Sequence, residues 1–241
     1  MDSISNIIAE VLEINGLGAF AGCKQLEQYS RLYSEVRSAN EKFNLTAITD
    51  PTEFAVRHIA DSLSAAEFIP PHSTLLDVGC GAGFPSLPLS IARPDINITS
   101  LDSTAKKTAF VSRTASILSI DRLTAICDRA ENAAHGPLRE SFQVVISRAV
   151  ARFNILAELC IPFVCQNGVF IAMKGERSAE EASSASDWIG SLGGSLPEAN
   201  GFILKGEASD LSRCILVSRK VRKSPEDYPR DFSKIRRRPL S

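Results

Sequence analysis

Apolar side chains recur at helical spacing in three segments near the start of the chain. These predicted helices cover residues 2–14, 23–39 and 52–68. The first is followed by Asn15-Gly16, a pair typical of helix C-termini, and the third stops before Pro70-Pro71. We therefore expect residues 1–70 to form a small N-terminal helical extension.

From residue 73 onward the pattern changes, because short apolar runs alternate with stretches of helical spacing. The predicted strands cover residues 74–78, 96–101, 122–127, 142–147 and 168–174. The predicted helices between them cover residues 85–93, 104–118, 150–165 and 177–192. Such alternation is typical of an α/β fold, in which a mostly parallel sheet carries helices on both faces. The last runs, 201–207 and 213–220, have no helix between them and indicate an antiparallel hairpin at the sheet edge. We expect residues 71–241 to form this core.

Composition narrows the class of protein. The 241 residues suffice for one substantial α/β core, and no apolar stretch approaches the roughly 18 residues of a membrane helix. The first 20 residues hold no Lys or Arg, so the positive start of a signal peptide is missing. We expect a cytoplasmic monomer without membrane attachment. The six cysteines and three histidines show no paired ligand spacing, so no metal site is expected.

The charge is unevenly distributed along the chain. The net charge is −1, but residues 213–241 hold ten Lys or Arg residues against three Asp or Glu. An acidic body with a basic C-terminal end favours contact with a polyanion, such as RNA, at that end. The alternative is a solvated basic tail.

A glycine-rich segment, Asp77-Val78-Gly79-Cys80-Gly81-Ala82-Gly83-Phe84-Pro85, lies between a predicted strand and a predicted helix. In this context the loop predicts a ligand beyond the carboxyl ends of the strands. The spacing G-x-G-x-G differs from the dinucleotide pattern G-x-G-x-x-G. Asp77 would repel a pyrophosphate but attract the ammonium group of a methionine moiety. The loop therefore predicts S-adenosylmethionine, with a nicotinamide-dependent oxidoreductase as the alternative.

Later strands also end in polar residues on the same side of the predicted sheet. Asp102 ends the second strand and is expected to accept hydrogen bonds from ribose hydroxyls, although such a carboxylate also serves NAD. The segment 128–131 is expected to lie beside the adenine, unless Asp128 or Asn132 only caps a short helix.

Two cations follow the fourth and fifth strands. Arg148 is expected to hold the carboxylate of the ligand or an RNA phosphate, with an ion pair to Asp77 or Glu131 as the alternative. For Lys174 the alternatives are a phosphate contact and a solvated strand end. The chain has no [DN]-P-P-[FYW] motif for an exocyclic nitrogen and no cysteine placed to attack a pyrimidine. An acceptor with a free lone pair, such as guanine N7, needs neither.

Several of these motifs together resemble one family, ribosomal RNA small subunit methyltransferase G, also called glucose-inhibited division protein B. The matching segments are Asn44-Leu45-Thr46-Ala47-Ile48, Arg57-His58-Ile59-Ala60-Asp61-Ser62-Leu63, Asp77–Pro85, Leu101-Asp102-Ser103 with Lys106-Lys107, Arg129-Ala130-Glu131, Ser147-Arg148-Ala149-Val150-Ala151, Lys174-Gly175 and Tyr228-Pro229-Arg230. Cys80, Ser86 and Gln143 depart from the residues usual in that family.

The resemblance implies a Rossmann-like class I methyltransferase that uses S-adenosylmethionine to methylate guanine N7 in small-subunit rRNA, either naked or in the 30S particle. The cofactor contacts that it implies are Gly79, Phe84, Asp102, Ser103, Ala130, Glu131 and Arg148. The loop argument adds Asp77, Gly81 and Gly83.

The segment around His58 carries a further expectation. His58, Asp61 and Ser62 share one helical face by their spacing, and this face is expected to help seat the guanine. The alternative is a local network that only fixes the helix. His58, Arg148 and Lys174 are thus the predicted catalytic residues. A non-catalytic RNA-binding or assembly factor remains the alternative function.

Overall fold

The computed structural model describes residues 3–42, 44–148, 151–175, 178–207 and 209–241. Ala149 and Val150 of the Ser147–Ala151 motif lie outside the described residues. So do the first residues of the helices predicted to begin at positions 2, 150 and 177.

The N-terminal part is helical, as predicted. Its α-helices are α1 (Ser3–Ile14), α2 (Cys23–Asn40), α3 (Pro51–Phe54) and α4 (Asp61–Leu63). The side chain of Asp50 accepts a hydrogen bond from Glu53 N at 2.9 Å, which caps α3. The single helix predicted over 52–68 was wrong in detail, because a π-helical segment (Ala55–Ala60) separates α3 from α4 and a 3₁₀ turn (Ala66–Phe68) follows. A π-helical turn inside a helix is frequent at functional sites.

A seven-stranded sheet with the order β3-β2-β1-β4-β5-β7-β6 forms the centre of the molecule. The strands are β1 (Thr74–Val78), β2 (Asn97–Asp102), β3 (Leu123–Cys127), β4 (Phe142–Arg148), β5 (Val164–Gly175), β6 (Glu198–Leu204) and β7 (Leu211–Arg219). The first five are parallel, and β7 runs antiparallel to both β5 and β6. The terminal hairpin is confirmed, with β6 at the edge.

Helices cover both faces of the sheet. They are α5 (Ser86–Ala92), α6 (Ala105–Ile117), α7 (Ala130–Ala133), α8 (Phe153–Cys160), α9 (Ser178–Ser183) and α10 (Phe232–Arg237). The helix predicted over 150–165 is shorter because a 3₁₀ turn (Ile161–Phe163), which contains Pro162, follows α8. The helix predicted over 177–192 is α9 followed by two 3₁₀ turns.

Two hydrophobic clusters lie on opposite faces of the sheet. Leu75 belongs to the first and its neighbour Leu76 to the second, because successive side chains of a strand point to opposite faces. The first cluster also contains Ile8 and Leu32 from α1 and α2, so the N-terminal helices share a core with the sheet. The division at residue 70 stays a prediction. No helix in the described ranges has the length and apolar character needed to cross a bilayer.

The C-terminal segment crosses back over α8. Glu158, which is completely buried, accepts hydrogen bonds from Arg230 Nε at 2.7 Å and Nη2 at 2.6 Å. Asn154 Nδ2 donates to Leu240 O at 2.8 Å. These contacts hold α10 beside the carboxyl ends of the parallel strands.

Candidate active site

The glycine-rich loop turns sharply at the carboxyl end of β1. Gly79, Gly81 and Gly83 have φ angles of 77°, 57° and 84°, a region that side chains with Cβ rarely adopt. A Cβ at Gly83 would lie 2.5 Å from Leu87 Cδ1. Gly79 N and Cys80 N donate to Leu101 O at 2.8 and 3.1 Å, which ties the loop to the neighbouring strand β2.

Asp102 ends β2 and is held in a single position. Its Oδ2 accepts a hydrogen bond from Gly81 N at 3.0 Å, and its Oδ1 accepts one from Thr104 N at 2.9 Å. A carboxylate oxygen has room for a second donor. Asp102 is therefore fixed by the backbone and can still accept hydrogen bonds from a ligand.

A cavity of about 440 Å³, here called the Asp102 cavity, opens beside this carboxylate. It is lined by Val78, Gly79, Leu101, Asp102, Ser103, Thr104, Lys107, Asp128, Arg129, Ala130, Glu131, Arg148, Leu159 and Phe232. Six of the predicted cofactor contacts thus lie together. The short helix of the alternative is present as α7, but its N-cap is Arg129 and no side chain caps it, so the capping role proposed for Asp128 or Asn132 was wrong. Ala130 and Glu131, the first residues of α7, line the cavity themselves.

A second cavity of about 630 Å³, here called the His58 cavity, lies on the other side of the loop. It is lined by Leu45, Thr46, Ile48, Arg57, His58, Asp61, Gly79, Cys80, Gly81, Ala82, Phe84, Arg148, Ala151, Met173, Lys174, Gly175 and Arg213. Gly79 and Arg148 line both cavities, so the two cavities are neighbours where β1 and β4 end.

The predicted residues divide between the two cavities. His58, Arg148 and Lys174 all line the His58 cavity. Phe84 and Gly81 also line this cavity and not the Asp102 cavity. Asp77 and Gly83 line neither of them.

Asp77 lies at the centre of the sheet, opposite Ser100 of β2 and Ile146 of β4. It is completely buried, and Ser86 Oγ donates a hydrogen bond to its Oδ2. Its Oδ1 has no partner among the residues that the structure describes. Burial raises the pKa of Asp77 to about 6, against the lowering effects of Ser86 and Arg148. The expected contact with an ammonium group stays a prediction.

Arg148 forms an ion pair that the sequence did not predict. Its Nη1 donates to Asp61 Oδ2 at 2.9 Å and to Arg57 O at 2.7 Å. The other oxygen of the buried Asp61 accepts from Arg213 Nε at 2.9 Å. Arg148 therefore pairs with Asp61, and neither Asp77 nor Glu131, the two partners proposed from sequence, is its ion-pair partner.

His58 is buried with both ring nitrogens engaged. Its ring stacks on Phe84 at 4.2 Å with an interplanar angle of 6°. Nε2 lies 3.0 Å from Thr46 Oγ1, and Nδ1 lies 3.3 Å from Arg148 Nη2. Burial, followed by the charge of Arg148, lowers the pKa of His58 to about 3. The imidazole is therefore neutral at physiological pH.

Lys174 is held at the rim of the same cavity. Its Nζ donates to Ala151 O at 2.8 Å and lies 2.9 Å from Glu181 Oε2. The lysine is thus anchored in position, unlike a freely solvated strand end.

Sequence reasoning missed two residues of the His58 cavity as functional candidates. Arg213 comes from β7 and meets Asp61 across 152 positions of the chain, a separation for which no local pattern exists. Thr46 appeared only within a family motif, and its contact with His58 follows from the folded geometry.

The basic C-terminal end lies next to the Asp102 cavity. Phe232 lines that cavity, and the guanidinium of Arg129 lies 5.5 Å above the Phe232 ring. Arg230, Lys234, Arg237 and Arg238 line a separate basic depression of about 520 Å³.

Comparisons with known proteins agree with this geometry. The GidB family model, described as rRNA small subunit methyltransferase G, matches residues 24–201. A ribosomal RNA small subunit methyltransferase G from Bacillus subtilis is 40% identical over 210 residues, covering 86% of this chain and 87% of that protein. One from Oceanobacillus iheyensis is 42% identical over 220 residues, covering 90% and 92%.

Solved structures share the fold at low sequence identity. The structure of M. jannaschii TYW2 in complex with AdoMet matches with a TM-score of 0.53 and 13% identity, covering 68% of this chain and 76% of that one. The expected Rossmann-like architecture is confirmed.

Proposed function

The chain belongs to the rRNA small subunit methyltransferase G family, and from this membership we propose that it methylates guanine N7 in small-subunit (16S) rRNA with S-adenosylmethionine as donor. One observation carries the proposal in the structure. The Asp102 cavity and the His58 cavity share the lining residues Gly79 and Arg148, beyond the carboxyl ends of the parallel strands. A donor in one cavity and a base in the other would face each other at this junction, as direct transfer requires.

The residues of the Asp102 cavity fit the donor. Each oxygen of Asp102 holds one backbone N–H and keeps acceptor capacity for a ribose hydroxyl. Gly79 and Gly81 adopt positive φ angles and carry no Cβ atom, so a ligand could approach the backbone of the loop closely. Asp77 Oδ1, which has no hydrogen-bond partner in the described part of the chain, would add a carboxylate for the expected methionine ammonium. Ser103, Ala130 and the segment up to Glu131 would hold the adenosine end.

The residues of the His58 cavity fit an RNA base and its phosphates. The cationic side chains of Arg57, Arg148, Lys174 and Arg213 line it together with one carboxylate, Asp61. This excess of positive charge favours a polyanion. Because several of these cations are held by ion pairs or backbone carbonyls, they are preorganised to contact phosphates or the base.

For this methyl transfer the protein mainly has to position the donor and the guanine. The bound donor supplies an electrophilic methyl group on a sulfonium. Guanine N7 carries a free lone pair at neutral pH, so it could accept this methyl group without the transfer of a proton. A neutral His58 with a pKa of about 3 suits this reaction, because no general base is required. His58 and Arg148 would therefore act by holding the walls of the cavity.

The roles of the N-terminal extension and of the basic C-terminal end follow from the placement of the two cavities. Residues 1–70 would form an extension that supplies one wall of the His58 cavity to the core of residues 71–241. The active unit would be a monomer. The basic depression of Arg230, Lys234, Arg237 and Arg238 would contact rRNA phosphates, and we place the reaction in the cytoplasm with the ribosome.

The test is methyl incorporation from labelled S-adenosylmethionine into isolated small subunits and into deproteinised small-subunit rRNA. Mass spectrometry should map one new 7-methylguanine in at least one of these substrates. At S-adenosylmethionine concentrations below saturation, Asp102→Ala should strongly lower the incorporation, whereas Asp121→Ala, at an exposed carboxylate outside both cavities, should not. If the wild-type protein binds the RNA but transfers no label, it is a non-catalytic binding factor. Label on another atom would refute the N7 assignment.

A further inference from the structure

Thr46 is held rigidly at the wall of the His58 cavity. The side-chain oxygen of Asn40 accepts hydrogen bonds from Leu45 N at 2.8 Å and from Thr46 N at 3.0 Å. The backbone of this loop is therefore fixed by the last residue of α2. Nothing in the methyl-transfer chemistry described so far uses the Thr46 hydroxyl.

The contacts of His58 favour one of its two ring nitrogens as the site of the proton. Arg148 Nη2 lies 3.3 Å from His58 Nδ1, and a guanidinium group can only donate hydrogen bonds. The carbonyl of Arg57 could instead accept a proton from the ring, but it already accepts from Arg148 Nη1 at 2.7 Å, so we assign Nδ1 as the acceptor. Since the buried ring is neutral, its single proton is on Nε2, which donates to Thr46 Oγ1 at 3.0 Å.

The hydroxyl oxygen of Thr46 thus already accepts two hydrogen bonds. Besides His58 Nε2, the backbone N–H of Ile48 donates to Thr46 Oγ1 at 3.1 Å. A hydroxyl oxygen has two lone pairs and one proton to donate. Both lone pairs are occupied, and no acceptor for the proton is found among the residues that the structure describes. The proton is therefore free to point into the cavity that Thr46 lines.

We propose that the Thr46 hydroxyl donates a hydrogen bond to O6 of the target guanine and thereby selects guanine over adenine. This inference rests on the proposed N7 methylation. N7 and O6 are adjacent acceptors on the major-groove edge of guanine, whereas adenine presents an amino donor at the position of O6. With N7 directed at the junction of the two cavities, O6 faces the surrounding wall. A hydroxyl donor fixed at this wall forms a hydrogen bond with O6 of guanine. The same donor would face the amino donor of adenine, which disfavours adenine.

A structural role alone is the competing explanation. The contact between Thr46 Oγ1 and Ile48 N closes a local turn of the kind that Thr side chains commonly form. Loss of the hydroxyl would then weaken every substrate equally, because it would only loosen the loop and His58. The test must therefore compare bases that differ at position 6.

The experiment uses small subunits reconstituted from ligated rRNA in which the mapped target is guanine, inosine or 2-aminopurine. Inosine keeps O6 and N7, whereas 2-aminopurine keeps N7 and lacks O6. The proteins are the wild type, Thr46→Val and Thr46→Ser, with Thr124→Val as a matched control at an exposed position of β3. The measured quantity is kcat/KM for methyl transfer.

The wild type should prefer guanine over 2-aminopurine, measured as the ratio of their kcat/KM values. In Thr46→Val this ratio should be smaller by roughly tenfold, the usual effect of one hydrogen bond. Inosine should behave like guanine, Thr46→Ser should retain the ratio, and Thr124→Val should match the wild type. Differences in the intrinsic reactivity of N7 cancel, because each ratio is compared between proteins on the same bases. An unchanged ratio in Thr46→Val would overturn the inference. A wild type that methylates no base would instead overturn the proposed function.

A second measurement tests the hydrogen-bond direction without RNA. Nitrogen-15 NMR of the wild-type protein should show an unprotonated Nδ1 and a protonated Nε2 in His58. A proton on Nδ1 would overturn the argument, because Thr46 would then have to donate to Nε2 and would have no proton for the base.

Discussion

Replacing Asp61 by Asn tests whether this carboxylate organises the His58 cavity. Asp61 is the shared partner of Arg148 and Arg213, each at 2.9 Å from one of its oxygens. The side chain of Asp61 is 9% exposed, and those of the two arginines are 14% and 23% exposed. The isosteric amide keeps the volume, removes the charge and presents an N–H to one guanidinium. Two largely buried cations then lose their counter-ion.

The loss of folding stability expected for Asp61→Asn follows from the burial of these three charged groups. At an effective dielectric constant of about 20, two unit charges at this separation attract by roughly 6 kcal/mol, but desolvation offsets most of that. Removing one partner of a buried pair usually costs about 3–5 kcal/mol. Because Arg213 retains some solvent contact, we expect the lower end, about 3 kcal/mol. For a chain of this size the corresponding fall in Tm is about 6–12 °C.

Urea denaturation and thermal unfolding measure this loss directly. The matched control is Asp231→Asn, which breaks an exposed pair with Lys234 and should leave stability close to that of the wild type. Methyl transfer by Asp61→Asn should also fall below that of the control, since Arg148 lines both cavities. If Asp61→Asn is as stable and as active as Asp231→Asn, the carboxylate does not organise the site.

Three further outcomes are expected. Asp102→Ala should weaken S-adenosylmethionine binding by about 1–3 kcal/mol in calorimetry, because a charged acceptor is lost; an unchanged Kd would remove Asp102 from the ribose site. Gly83→Ala should lower the free energy of unfolding by about 1–3 kcal/mol, since its φ is 84° and a Cβ would clash at 2.5 Å. Gly136→Ala, whose Cβ would find no atom nearer than 3.5 Å, is the control and should unfold like the wild type. The pKa of Asp77 is raised from 3.8 to about 6, so the folded state prefers its protonated form and the stability associated with it is lost as pH rises between these values. Asp77→Asn should therefore gain roughly 2–3 kcal/mol relative to the wild type between pH 4 and pH 7 in urea titrations, and parallel pH profiles would contradict the assignment.

Local sequence patterns determined most of the secondary structure and one half of the site. The apolar run predicted at 74–78 is strand β1 with the same bounds. The glycine loop and Asp102 were identifiable because the residues that form a strand–loop–helix unit are close in sequence. Their proximity to each other then follows from parallel pairing, which brings the carboxyl ends of β1 and β2 to one edge of the sheet.

Other features were beyond local patterns. The helix expected over 52–68 contains a π-helical segment, and the carbonyl of Arg57 in this segment accepts from Arg148. The short helix α10 was not predicted, since its anchoring depends on the pairing of Glu158 with Arg230 across the chain. Neither feature is visible in hydrophobic periodicity.

The sequence alone thus determined the strands of the sheet and most of the helices, and it predicted a ligand site beyond the first strand. The periodicity of apolar residues reports which faces must be buried, and this constraint acts over a few neighbouring positions. Only the tertiary structure decided that Asp61 joins Arg148 to Arg213 and that His58 Nε2 lies within hydrogen-bond distance of Thr46 Oγ1. The physical reason is that hydrogen bonds and ion pairs are directional contacts of a few ångströms between side chains. Their partners depend on how distant elements pack, which no local spacing encodes.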